Sequence, residues 1–360
     1  MYSFKRLVNK TLVISEKLVI VRCVNFHWSP ILRNEGGDDC SKKNESPLKR
    51  LLDDSASFDD VKAQNITQQW VTLPYGQDAK IRNEGPVRSS QDPRDTSIIL
   101  FPGQGNQYVG MAKDLLKFPI VKDLFELANY VLKYDLLKLC LEGPKSKLNE
   151  TVYCQPATMV SSLAALECLK EERPNAIENC VATAGFSLGE LTALVFAGSI
   201  GFERALQLVK IRAEAMQLAG EAYRGGMVRV LVGADSKLNY ACLKAKEWAL
   251  EKGDEKPECC ISNYLFPTCK IVAGSTEALN YLENNFKEYN LRKISRLPVS
   301  GAFHSSLMEP AVEVFRNALT KTDIQDPAIY VYSNVDGKKY KNAEHIRKQL
   351  PKQVSSRNLI

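Results

Sequence analysis

Residues Gly185-Phe186-Ser187-Leu188-Gly189 set a serine between two glycines at the junction of two apolar patterns. Before them, Cys180-Val181-Ala182-Thr183-Ala184 has the length and composition of a buried strand. After them, Glu190-Leu191-Thr192-Ala193-Leu194-Val195-Phe196-Ala197 reads as a helix. Strand, G-x-S-x-G, helix is the context of a sharp turn that presents a serine as a nucleophile. The glycines permit the tight turn and the close approach of neighbouring backbone. The serine then sits at the positive end of a helix, where an oxyanion is stabilised. A glycine-bounded turn with an N-capping serine fits the same five residues, and the pentapeptide alone does not separate the two readings.

The chain has 360 residues, 44% of them hydrophobic, enough for one large domain or two modest ones. Its net charge of +6 is misleading. Residues 1–34 carry Lys5, Arg6, Lys10, Lys17, Arg22 and Arg33 against Glu16 alone, so the rest of the chain is nearly neutral. A near-neutral body argues against a nucleic-acid binder. The first 34 residues are apolar, basic and poor in acid. Lys10, Glu16, Lys17 and Arg22 break their apolar run, which suits neither a secretory signal nor a membrane span. A mitochondrial presequence fits best and implies a matrix protein. No other uninterrupted apolar segment is long enough to span a bilayer. Ten cysteines are scattered without a C-x-x-C or a neighbouring histidine pair, so reduced, mostly buried thiols and no metal site are expected.

Residues 35–96 are polar and turn-rich and read as a linker, with one amphipathic helix near Leu48–Val61. Compact structure is expected to begin at Ser97-Ile98-Ile99-Leu100-Phe101, a short buried strand. It leads into a glycine-rich loop, Pro102-Gly103-Gln104-Gly105-Asn106-Gln107. Long helical segments follow over Ile120–Cys140 and Ala157–Glu171. Residues 226–299 change character. Strands are predicted at Met227–Val232, Cys259–Tyr264, Cys269–Ala273 and Arg292–Val299, with helices at Leu238–Leu250 and Thr276–Tyr289. That βαββαβ order is a ferredoxin-like split unit. The expected fold is therefore α/β: an α/β-hydrolase-like large subdomain of residues 97–225 and 300–360, with a ferredoxin-like small subdomain, 226–299, inserted in it.

A serine nucleophile needs a base, usually histidine. His27 lies in the basic leader and His345 in the charged stretch His345-Ile346-Arg347-Lys348. His304, in a small-residue loop between a strand and a helix, is the remaining candidate, although a lone loop histidine is often structural. Arg212 lies between Ile211 and Ala215 on a helix whose apolar face turns inward. A guanidinium there must be paired. Two readings stay open: a structural salt bridge with Glu190 or Glu214, or a bidentate clamp for a substrate carboxylate.

Four motifs in this order carry a resemblance: Phe101-Pro102-Gly103-Gln104-Gly105-Asn106-Gln107, Gln155-Pro156-Ala157, Gly185-Phe186-Ser187-Leu188-Gly189-Glu190 and Gly301-Ala302-Phe303-His304-Ser305. From about Ser97 to Gln353 the chain resembles the malonyl-CoA:acyl carrier protein transacylases of the mitochondrial fatty-acid synthesis type. The resemblance implies that Ser187 attacks the thioester and His304 takes its proton. It implies an oxyanion hole from the backbone N–H groups of Gln104 and Leu188. Arg212 falls where the family binds the malonyl carboxylate, with Gln155 nearby. Phe303, beside His304, would crowd a branched acyl group and favour malonyl over methylmalonyl. Gln353 falls where the family orients its histidine through a backbone carbonyl. The implied partners are malonyl-CoA and acyl carrier protein, with no cofactor, no metal, no nucleic acid, and a monomeric enzyme.

After Gln353 the family continues with a Pro/Trp-containing segment, a further strand and a closing helix, where this chain reads Val354-Ser355-Ser356-Arg357-Asn358-Leu359-Ile360. The expectation is a C-terminally truncated product, less stable than one carrying the family-type ending. Two further readings are a serine esterase or thioesterase built on the same elbow, and an inactive truncated form acting only as an interaction protein.

Overall fold

The computed structural model describes Pro47, Leu48, Leu51 and residues 95–359. The expected presequence over 1–34 and most of the expected linker over 35–96 lie outside the described residues. Pro47, Leu48 and Leu51 are helical, and Leu48 and Leu51 pack against the main core.

Three strands, β1 (Ser97–Phe101), β2 (Cys180–Gly185) and β7 (Tyr330–Tyr332), form a parallel sheet in the order β1-β2-β7. The register pairs Phe101 with Gly185 and Ala184 with Tyr332, so the strand ends that carry the serine turn align. The strand expected to be buried at Ser97–Phe101 is only partly so: Ile98 and Leu100 are 64% and 68% exposed. Among the described residues β1 pairs with β2 alone, and alternate side chains on an edge strand point to opposite faces, so Phe101 enters the core while Ile98 and Leu100 do not.

The long helix expected over Ile120–Cys140 is two, α1 (Pro119–Leu132) and α2 (Leu136–Glu142). Lys133 turns left-handed at φ 65°, and Asp135 then caps α2 by accepting from the Lys138 N–H. No glycine or proline marks this break in the sequence. Helix α3 (Thr151–Glu172) starts before the expected Ala157 and takes in Gln155 and Pro156. Helices α4 (Leu188–Phe196) and α5 (Phe202–Ala222) follow β2. On α5, Leu208, Arg212, Ala215, Met216 and Ala219 share one buried face at helical spacing. That face brings Arg212 inside the main hydrophobic core, between α3 and α8 (Glu309–Thr320).

A second sheet holds β3 (Gly225–Val232), β4 (Cys259–Phe266), β5 (Cys269–Ser275) and β6 (Leu291–Arg296) in the antiparallel order β4-β5-β3-β6. Helices α6 (Leu238–Glu251) and α7 (Thr276–Asn285) complete the predicted βαββαβ order. This sheet has its own core, including Val228, Val230, Val272, Leu279 and Leu282. Strand β6 ends before the expected Val299, just ahead of Pro298, which has no N–H to give a ladder. The class is α/β, a parallel sheet with a separate small antiparallel sheet, as expected.

Candidate active site

The serine turn is made by steric necessity. A Cβ on Gly185 would lie 1.9 Å from the carbonyl carbon of Gly189, and one on Gly189 would lie 2.3 Å from the Phe101 oxygen. Backbone therefore packs on backbone, and the Phe186 N–H donates to the Phe101 carbonyl at 2.9 Å. Ser187 is left at φ 53° and ψ −105°, a region that costs a non-glycine residue of order 1–3 kcal/mol. Asn334, just after β7, holds this conformation: its Oδ1 accepts from the Ser187 N–H at 2.7 Å and its Nδ2 donates to the Gly185 carbonyl at 2.6 Å.

Ser187 occupies the N-cap position of α4, yet its side chain makes no capping bond. Its Oγ accepts instead from Nη2 of Arg212 at 3.0 Å. The capping reading thus falls, and the hydroxyl is turned toward a buried cation. Leu188 opens α4, so its N–H has no acceptor within the helix. Gln104 lies in the loop after β1, and its Oε1 accepts from Gln155 Nε2 at 3.0 Å.

Arg212 is 1% exposed. The acid expected beside it is absent from its hydrogen bonds. Besides Ser187, Nη1 donates to Gln155 Oε1 at 2.6 Å and Nη2 to Gln353 Oε1 at 2.7 Å. Its Nε is buried with no partner. Neutral amide oxygens satisfy part of the guanidinium, and Glu190 reaches it only through Gln353, whose Nε2 donates to Glu190 Oε2 at 2.5 Å. Burial lowers the Arg212 value to about 10, and Glu190 opposes that shift. Glu190 is itself fully buried, and burial raises its carboxyl to about 7. Hydrogen bonds from Tyr340, Gln353 and the Asn334 N–H, then the charge of Arg212, pull it back.

His304 is buried at φ 61°. Its Nδ1 lies 2.7 Å from the Gln353 carbonyl and donates to it, which leaves the lone pair on Nε2. That lone pair accepts from Asn358 Nδ2 at 3.2 Å. Burial, then the Arg212 charge, lowers the imidazole to about 4, and the Gln353 carbonyl opposes. The ring is neutral at physiological pH, as a general base must be. Phe303 is buried next to it. A cleft of about 520 Å³ opens on His304, Ser305 and Ser306 and is walled by Lys246, Glu258 and Arg357.

Ser187, Arg212, Gln155, Gln104, Gln353 and His304 are thus brought together from six separate segments of chain. Sequence reasoning missed Asn334, Tyr340 and Asn358 as members of the same network. None belongs to a motif or a periodic pattern, so only their placement reveals them.

A parallel sheet carrying a strained serine at a helix N-terminus, with a neutral histidine and a buried cation around it, is the arrangement of an enzyme that works through a serine. The acyl transferase domain family matches residues 98–356. Over 267 residues the chain is 60% identical to the probable malonyl-CoA-acyl carrier protein transacylase, mitochondrial, of Drosophila melanogaster, covering 74% of this chain and 70% of that one. It is 52% identical to the human malonyl-CoA-acyl carrier protein transacylase, mitochondrial, covering 73% of this chain and 68% of that one. Among solved structures it matches a malonyl-transacylase in complex with its type II polyketide acyl-carrier protein. The TM-score is 0.66 at 33% identity, covering 73% of this chain and 82% of that one. The chain belongs to the acyl transferase family, and within it to the mitochondrial malonyl-CoA-acyl carrier protein transacylases.

Proposed function

We propose that this protein moves a malonyl group from malonyl-CoA to the phosphopantetheine thiol of acyl carrier protein, in mitochondrial fatty acid synthesis. One observation carries the substrate choice: the buried guanidinium of Arg212 faces the Ser187 hydroxyl with its Nε unpartnered, and among the described residues its hydrogen bonds go to Ser187, Gln155 and Gln353 rather than to a carboxylate. An acyl group with its own carboxylate supplies the missing charge. Arg212, with Gln155 beside it, would hold that carboxylate by charge-assisted hydrogen bonds.

In the first half-reaction Ser187 Oγ attacks the thioester carbonyl and His304 Nε2 takes its proton. The N–H groups of Gln104 and Leu188 receive the oxyanion. The intermediate collapses to malonyl-Ser187, the C–S bond breaks, and His304 returns the proton to the departing CoA thiolate. In the second, His304 takes the proton of the phosphopantetheine thiol, whose sulfur attacks the ester. Ser187 Oγ leaves and recovers the proton. Gln353 orients His304 through its backbone carbonyl, and Phe303 limits the room for a branched acyl chain. Residues 226–299 act as the small subdomain beside a large subdomain of residues 97–225 and 300–360, and the cleft that opens on His304 is lined by residues within 239–261, by 304–306, and by Ser355 and Arg357. The similarity to mitochondrial relatives supports a matrix location. No helix among the described residues is long and apolar enough to cross a membrane.

The test is intact-mass measurement after incubation with malonyl-CoA, with Ser187→Ala as control. The reading requires a malonyl adduct that passes to holo acyl carrier protein. Release of free malonate at a comparable rate would instead mark a hydrolase.

A further inference from the structure

Residues 355–359 lie across the catalytic histidine. Asn358 is fully buried, and its Nδ2 donates a hydrogen bond to His304 Nε2 at 3.2 Å, the atom the mechanism reserves for the serine. The segment is fastened at both sides. Asn358 bridges to Asn263 on β4 in the parallel sense and donates its N–H to the Ser262 carbonyl at 2.9 Å. The Leu359 N–H donates to the Asn334 carbonyl at 2.8 Å, on the side of the serine turn. Arg357 reaches the Tyr264 hydroxyl at 3.2 Å and stacks over that ring at 5.3 Å. Ser355 and Arg357 also wall the cleft that opens on His304.

The fit is incomplete in an informative way. Asn358 Oδ1 and the neighbouring Asn263 Nδ2 are both buried without a partner. Unpaired buried polar atoms oppose the contact, so the segment is held without being locked. Meanwhile Ser187 Oγ is engaged by Arg212. Nucleophile and base each bind something other than the other.

The geometry points to a strap: residues 355–359 mask His304 in the resting protein, and Asn358 must leave Nε2 before Ser187 can be deprotonated. This rests on His304 acting as the base of Ser187. A ligand that fills the cleft would lift the strap by competing for the space along β4.

The experiment uses a small fluorophosphonate on the full chain, read by intact mass. Ser187 Oγ forms the O–P bond, fluoride leaves, and the Oγ proton passes to His304 Nε2 and then to water. Two variants release the strap differently. Asn358→Ala removes the bond to His304, and Arg357→Ala removes an anchor remote from it. Asn358→Ala should label about tenfold faster than wild type, the scale of one neutral hydrogen bond, and Arg357→Ala several-fold faster. Equal or slower labelling in both variants overturns the strap. So does a failure of all three proteins to label, because an unmasked base should react. If Asn358→Ala does not fold, Arg357→Ala decides alone. Faster labelling without any adduct from malonyl-CoA would keep the strap and remove the malonyl reading. A malonyl adduct in both variants together with fluorophosphonate labelling no faster than wild type would do the reverse.

Discussion

Arg212 and Glu190 are both fully buried, and they are joined through a single amide rather than to each other. Gln353 Oε1 accepts from the Arg212 Nη2 at 2.7 Å, and its Nε2 donates to Glu190 at 2.5 Å. A direct ion pair would spend the guanidinium on the protein's own acid. The intervening amide keeps the opposite charges close enough to stabilise each other across a medium of low dielectric. It also keeps Arg212 free of a direct ion pair with Glu190, as the proposed carboxylate clamp requires. The same residue gives its backbone carbonyl to His304.

Replacing Gln353 by leucine should therefore uncouple the two charges. Arg212 loses an acceptor and Glu190 a donor, both in the core. The expected loss is about 2–4 kcal/mol of unfolding free energy, within the range for a broken buried polar network. Urea denaturation would show it as a lowered midpoint, and an unchanged midpoint would mean the amide is dispensable.

Arg212→Ala should change what the protein prefers. Malonyl transfer loses a charge-assisted clamp, a kcat/KM decrease on the order of a hundredfold or more. Acetyl-CoA has no carboxylate to lose, so relative activity on it should rise. Competition between the two thioesters measures the ratio, and unchanged discrimination would remove Arg212 from the site.

With His304 as the proposed base, its protonation would set the acid side of the rate profile. Its value of about 4 means the neutral base persists well below neutrality. The kcat/KM for acylation should hold from pH 7 to about 5 and fall only below that, as the ring protonates. A limb centred at an ordinary histidine value would contradict the burial argument.

Stability should respond to pH with two opposing slopes. His304 is depressed in the fold, so its contribution is present above about 6.5 and is lost as pH falls through about 4. Glu190 is raised, so its contribution is present below about 4.5 and is lost as pH rises through about 7. Between those limits the two partly cancel. Glu190→Gln leaves only the histidine slope, so acidification from pH 6.5 to 4.5 should cost the variant more than the wild type. The difference is up to about 1.4 kcal/mol per pH unit. Denaturation at several pH values checks this, and parallel curves for the two proteins would count against it.

Gly185→Ala should prevent the serine turn from forming. The new Cβ would meet Gly189 backbone at 1.9 Å, where no side chain can rotate away. A loss above about 4 kcal/mol is expected, with little soluble protein. Normal expression and melting would show that the turn can relax.

Much of this was legible before any fold was known. G-x-S-x-G between a strand run and a helix run located the turn, because the clash between Gly185 and Gly189 is local, although the crowding of Gly189 by the Phe101 carbonyl is tertiary. The small-sheet elements of 226–299 followed from alternating patterns bounded by turn residues, and their observed order matched. The break at Lys133 was not legible, since a left-handed lysine leaves no compositional mark. Nor was the exposure of Ile98 and Leu100, which depends on which strands lie beside β1.

By itself, then, the sequence determined the serine turn, the elements of the small sheet and the identity of a lone inward-facing arginine, since these depend on residues close together in the chain; the third strand of the parallel sheet, Tyr330–Tyr332, left no such mark. Tertiary structure alone decided what those groups touch. Ser187 turns from helix capping to Arg212 because a helix begun at Phe202 packs beneath it. Arg212 meets amides rather than an acid because Gln155 and Gln353 arrive from distant segments. Asn358 covers His304 because a strand of the small sheet offers it a backbone to pair with. Buried polar groups must find partners wherever folding brings them, and no spacing along the chain encodes which partner comes.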